Sequence, residues 1–150
     1  VMISNFQEYY KLVEYFSAYS KKLLGLTMGV NNFVEIFNEE YYKEIDGGIL
    51  EAFGKMFHNK VKIYLYPISN KMGGVINSSN LKLDPRMKDF YKFFKYNGKV
   101  IDLIHFESKY LNIFSRDILN EIKNGKNEWK DKLPKGISEM IIKDKMFGYK

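Results

Sequence analysis

Cysteine is absent from these 150 residues. That excludes a disulfide scaffold, thiolate zinc sites, iron–sulfur clusters and a cysteine nucleophile. It also points to a reducing compartment, read here as the cytoplasm. Histidine occurs only at His58 and His105, so a three-histidine metal centre is impossible, and no H-E-x-x-H spacing exists. The chain has no Walker A loop, no G-x-G-x-x-G and no G-x-S-x-G elbow, which removes the usual sequence marks of nucleotide binding and of serine hydrolases. No apolar run reaches the roughly 18 residues of a membrane span, and no signal-peptide pattern opens the sequence; no membrane partner is expected. Proline appears only three times, leaving room for long uninterrupted elements.

What the chain does contain is aromatic and basic. Aromatic residues make up 17% of it, with 12 Tyr and 12 Phe, and the formal net charge is +6. With 45% hydrophobic residues, residues 1–150 are expected to fold as one α/β domain with its own core. A mild basic excess suits ligands that carry phosphate.

The first helix is expected from a capping box, Ser4 with Gln7, through the apolar face of Phe6, Tyr9, Tyr10, Val13 and Phe16 to about Lys22. Leu23 to Met28 is a short apolar run that periodicity alone leaves open between strand and frayed helix end. Gly29, Asn31 and Asn32 break the pattern and offer a cap for a second, acidic helix that Asp46, Gly47 and Gly48 stop, and Ile49 to Phe57 is a third. Val61 to Tyr66 alternates and reads as a strand ended by Pro67. Ser69 to Asn80 is a loop with a brief strand at Val75 and Ile76. Asp84 and Pro85 start a helix with Met87, Phe90, Tyr91 and Phe94 on its buried side, stopped at Asn97 and Gly98. Val100 to Phe106 reads as a second strand. Strand, helix and strand make a βαβ unit. Ser115 is taken as the cap of a further helix with Ile118, Leu119 and Ile122, and Leu133, Ile137, Met140 and Ile141 form a last stripe. The expected fold is a small parallel sheet with a βαβ unit, a helix-rich N-terminal third and a helical C-terminal tail.

Catalytic devices are scarce. His58 reads as a helix C-cap and His105 as a half-buried strand residue. Glu35 with Glu39, and Glu40 with Glu44, stand four apart and share a helix face if the helix runs through them. Such oxygen pairs can hold a metal, but a solvated acidic face is the commoner outcome, and no metal ligand is assigned. No residue is assigned a catalytic role. The best anion site is the helix start at Ser115 and Arg116, just after a parallel strand, where free N–H groups and a guanidinium suit phosphate. The plainer alternative makes Ser115 a cap and Arg116 a surface charge.

The run Ile113-Phe114-Ser115-Arg116-Asp117-Ile118-Leu119, followed by Ile122, Gly125, Leu133-Pro134, Ile137, Ile141 and Phe147-Gly148, resembles the tail of bacterial nicotinate mononucleotide adenylyltransferases, members of the cytidylyltransferase-like superfamily. There an I-S-S-T-x-I-R motif is followed by I, G, V-P, V, I and Y-G at similar intervals. Met28-Gly29-Val30-Asn31-Asn32-Phe33 is similar to that family's M-G-A-D-N segment, and Ile63-Tyr64-Leu65-Tyr66-Pro67 to its V-Y-P-R strand end. The resemblance spans about residues 23 to 149. It implies a nucleotide-binding fold, Ser115 and Arg116 on phosphate, Gly29 and Asn31 on the nucleoside side, and magnesium arriving with ATP. The departures are specific. Asn31 replaces Asp, Ile68 follows Pro67 where the family has Arg, and Leu119 stands at the motif's phosphate-binding Arg, with Arg116 offering a guanidinium one turn earlier. The family's H-x-G-H motif is missing, so the resemblance implies a fragment of a longer nucleotidyltransferase-like protein, or a relative without turnover.

Two other classes stay in view. Lys88, Lys92, Lys95 and Lys99 beside Tyr91, Phe93 and Tyr96 have the composition of a module binding RNA or a protein partner. The aromatic face of the first helix (Phe6, Tyr9, Tyr10, Phe16 and Tyr19) suits a homo-oligomer.

Overall fold

Val61, Ile63 and Leu65 are fully buried while Lys62, Tyr64 and Tyr66 between them are half-buried, the period-2 pattern of a strand with one face on a core. The computed structural model describes residues 5–58, 60–70 and 72–149. In it this strand, β2 (Val61–Tyr66), is the centre of a parallel sheet with β1 (Leu24–Gly29) on one side and β5 (Val100–Asp102) on the other. Leu24 pairs with Val61 and Gly29 with Tyr66; Ile63 pairs with Val100 and Leu65 with Asp102. The chain is α/β.

The open reading of residues 23–28 is resolved as strand. The deciding factor lies outside the segment: Leu26 and Met28 face the core beside Ile63 and Leu65, a nonlocal gain that periodicity cannot register. Between β1 and β2 run α2 (Val30–Glu35), a single 3₁₀ turn at Glu39–Tyr42 and α3 (Gly48–Phe57). The continuous acidic second helix expected here is therefore corrected. It breaks after Glu35 because Tyr42 turns inward, with 6% exposure, and its hydroxyl donates to the Ile36 carbonyl at 2.7 Å. Asn31 and Asn32 lie inside the first turn of α2, and Gly29 is its cap.

Between β2 and β5 come an antiparallel pair, β3 (Ile68–Ser69) with β4 (Val75–Ile76), a 3₁₀ turn at Pro85–Met87 and α4 (Lys88–Tyr96). The Asp84 side chain accepts from the Arg86 N–H at 2.9 Å, the expected cap. Gly98 at φ 63° ends α4 in the left-handed conformation that glycine tolerates. The strand that follows stops at Asp102, shorter than the run to Phe106.

Helix α1 (Tyr9–Tyr19) starts after Glu8 and ends before Ser20, inside the expected limits; Ser4 of the capping box lies outside the described residues. Tyr10, Val13, Phe33, Phe37, Phe53, Met56 and the inner faces of the strands form one core. Rings meet in it at tilted angles, Phe37 against Phe53 at 5.0 Å and Phe53 against Phe94 at 5.2 Å, and Phe57 stacks on Phe94 at 4.6 Å.

The chain divides into two compact units, Val1–His105 and Phe106–Lys150. The second has its own core: Ile118 and Ile122 of α5 (Ser115–Lys123), Ile141 of α6 (Ile137–Lys143), and Trp129, which is fully buried. The Trp129 indole donates to the Lys126 carbonyl at 2.9 Å. The expected C-terminal stripe is corrected at Ile137 and Met140, which are 38% and 51% exposed, while Ile142 packs on this core instead. Trp129 claims the centre, and a helix this short turns only one side toward it. Among the described residues no helix is long and apolar enough to cross a membrane.

Candidate functional site

Phosphate recognition needs backbone N–H groups that no other acceptor has taken. Helix α5 is nine residues long and its N-cap is Phe114, whose side chain makes no cap bond. Ser115 is thus the first helical residue and not the cap, a correction by one position. Phe114 keeps extended angles (φ −115°, ψ 130°) while its carbonyl already accepts from Ile118 N–H at 3.1 Å, which is what defines a cap. Ser115, Arg116 and Asp117 are all exposed. The opening turn of α5 is therefore accessible and carries a guanidinium. It also carries the Asp117 carboxylate, which already satisfies part of the helix dipole and opposes a second anion.

Gly29 and Asn31 belong to the larger unit. Gly29 ends β1 and caps α2, and a Cβ placed there would meet nothing within 4 Å. Asn31 is exposed in the first turn of α2. Both sit at the carboxyl end of a parallel strand, the side on which open α/β sheets place ligands.

At the carboxyl end of β5 lies a polar cluster that residue spacing does not reveal. Asp102 accepts from the Ser78 N–H at 2.9 Å and from the Ser78 hydroxyl at 2.5 Å. The Ser78 carbonyl in turn accepts from the Tyr91 hydroxyl at 2.5 Å and from Lys95 Nζ at 2.9 Å. Burial pushes the Tyr91 phenol up in pKa, the Ser78 bond works against this, and the Asp102 charge adds to it. The members of this cluster lie 13, 17 and 24 residues from Ser78, so only the fold brings them together.

Three of the four carboxylates weighed as oxygen ligands are occupied otherwise. Glu39 pairs with Arg86 at 3.2 Å, Glu40 with Lys43, and Glu35 accepts from the Tyr41 hydroxyl at 3.1 Å. Glu35, Glu39, Asp84 and Arg86 line a cleft of about 390 Å³ over Val34, Phe37, Leu83 and Met87. Among the described residues no three His, Asp or Glu side chains converge to hold a metal. His58 caps α3 as expected, with Nδ1 against the Lys55 carbonyl. His105 is corrected: it lies beyond β5 and is exposed, because the strand ends at Asp102.

Compared with protein families, with curated proteins and with solved structures, the chain finds no match in any of the three.

Proposed function

We propose that this chain is a nucleotide- or phosphate-binding protein of the nucleotidyltransferase type, without turnover of its own. The observation that carries the reading is the exposed, side-chain-uncapped opening turn of α5 with Arg116 in it. The Arg116 guanidinium, the Ser115 hydroxyl and the N–H groups of Ser115 and Arg116 hold phosphate, the Asp117 N–H being already given to the Phe114 carbonyl at 3.0 Å. Gly29 and Asn31 serve the nucleoside side. The parallel sheet suits this class, and β1 runs straight into the start of α2 at its carboxyl end. In a complete enzyme of this type a mononucleotide phosphate attacks the α-phosphorus of ATP, and catalysis is positioning and charge neutralisation. H-x-G-H is absent from the 150 residues, so binding is the part left to this chain. Among the described residues no three acidic or histidine side chains form a dedicated metal cage, so magnesium would arrive with the ATP phosphates, and no step is assigned to it.

Calorimetric titration of the full chain with ATP and with nicotinate mononucleotide tests this. Expected is millimolar-range binding that Arg116→Ala removes. A folded sample that gives no heat with either ligand overturns it.

One observation favours a second reading. On α4, Phe93 and Tyr96 are 61% and 86% exposed, next to Lys88 and Lys92. Stacking rings beside cations suit single-stranded nucleic acid. Tyr91 is buried, Lys95 is turned to Ser78 and Ser79, and Lys99 lies over the Phe57 ring, so the surface is smaller than the sequence suggests. Binding of a labelled oligonucleotide that weakens with salt supports it; absence of binding at low salt discards it.

A further inference from the structure

In the order β1-β2-β5, β1 has a neighbour on one side only among the described residues. Leu24 N–H donates to the Lys60 carbonyl at 2.9 Å, so Leu24, Leu26 and Met28 turn their backbone groups toward β2. Backbone direction alternates along a strand, and Gly25 and Thr27 therefore turn theirs to the open side, as does the Gly29 N–H, while the Gly29 carbonyl receives the first bond of α2. Among the described residues, no hydrogen bond outside the helices and the sheet ladder reaches these three. Gly25 and Thr27 are exposed.

Edges of this kind are normally blunted by a lysine, a proline, a bulge or a cover. β1 has neither charge nor proline over its six residues, Leu-Gly-Leu-Thr-Met-Gly. Its outward positions are also nearly bare. At Gly25 the Tyr64 ring comes within 3.0 Å of where a Cβ would stand, which keeps that position a glycine, and Gly29 follows two residues after Thr27.

We propose that the free edge of β1 pairs with β1 of a second copy of this chain, antiparallel about a two-fold axis at Thr27. A two-fold axis forces antiparallel pairing and an isologous contact. The outward set is symmetric about its middle. Thr27 faces Thr27 of the second copy and exchanges two backbone bonds with it; Gly25 faces the second copy's Gly29. Opposed threonines are a favourable cross-strand pair. The strand carries no charge, so the +6 of each chain is not concentrated at the seam. Leu23, 51% exposed just before the strand, supplies apolar surface beside it. The pairing joins two three-stranded sheets into one of six strands and does not depend on nucleotide binding.

Sedimentation velocity on the full chain, from about 10 µM to about 1 mM, reads the association directly. Expected is a concentration-dependent shift from monomer to dimer, with the Thr27 and Gly29 amides gaining protection from hydrogen exchange as concentration rises. Thr27→Pro is the decisive variant, because that N–H points away from β2 and its loss spares the existing ladder. It should stay monomeric throughout with an unchanged far-ultraviolet spectrum. Thr27→Lys, which sets two like charges against each other, gives a second route to the same readout if the proline variant fails to fold. A wild-type chain still monomeric at the top concentration overturns the proposal. So does a dimer that survives Thr27→Pro or Thr27→Lys, or one removed only by Tyr19→Ser on α1.

Discussion

Asp102 holds Ser78 by two hydrogen bonds, one from the backbone N–H at 2.9 Å and one from the hydroxyl at 2.5 Å. Ser78 is 5% exposed, so removing the carboxylate strands two buried donors. Asp102→Ala should cost about 2–3 kcal/mol, and Ser78→Ala, which removes one donor with its bond, about half of that. Urea denaturation of the two variants and of the double variant measures both. The double should cost less than the sum, because each change removes the same contact.

Tyr42 gives the stability a high-pH limb. Burial, helped by the nearby Tyr10 and Tyr41, pushes its phenol up to about 12 from the ordinary 10. The neutral form is favoured in the fold, so this contribution is fully present below pH 10 and is lost as pH rises from 10 toward 12. The loss is about 2–3 kcal/mol at the top of that window. In Tyr42→Phe the limb should shrink by that amount. The same variant costs about 1 kcal/mol at neutral pH, from the Ile36 carbonyl left without its donor. Chemical denaturation of both proteins at pH 7, 10 and 11.5 is the check.

Asp117 competes with any anion at the start of α5. Asp117→Asn should therefore tighten phosphate or nucleotide binding several-fold, in the direction opposite to Arg116→Ala, with the larger effect at low salt. Titration of inorganic phosphate into the two variants reads this. Equal affinities in wild type and both variants would remove the α5 turn from consideration.

Trp129 organises the smaller unit, being fully buried against Ile118, Ile122 and Ile141. Trp129→Ala should cost about 3–5 kcal/mol. As the sole tryptophan, it also reports on itself: native emission should be blue-shifted and should move red when this core opens. Emission already at the solvent position in buffer contradicts the burial.

How far the chain could be read in advance follows from the range of each force. β2 announced itself because Val61, Ile63 and Leu65 alternate with Lys62, Tyr64 and Tyr66. The stop at Asn97-Gly98 was equally plain, since a φ of 63° at the glycine is a property of one residue. β1 was ambiguous because Leu23 to Met28 has no period that separates strand from helix. The acidic helix was read too long because nothing in Glu39 to Glu44 shows that Tyr42 will point inward. Of the four residues expected at a ligand, all proved accessible or half-accessible, but Ser115 moved from cap to first helical position, a shift of the size that cap geometry alone decides. The Ser78, Tyr91, Lys95 and Asp102 cluster left no trace in residue spacing.

Local chemistry along the chain was enough for the α/β class, the amphipathic α4, the central strand and most element ends, because caps, turns and periodicity act over a few residues. Packing alone decided which aromatics entered the core, that Leu24–Gly29 is a strand with an open edge, and that Asp102 meets Ser78. Those outcomes depend on surface buried between segments far apart in sequence, and that free energy exists only once the segments have met.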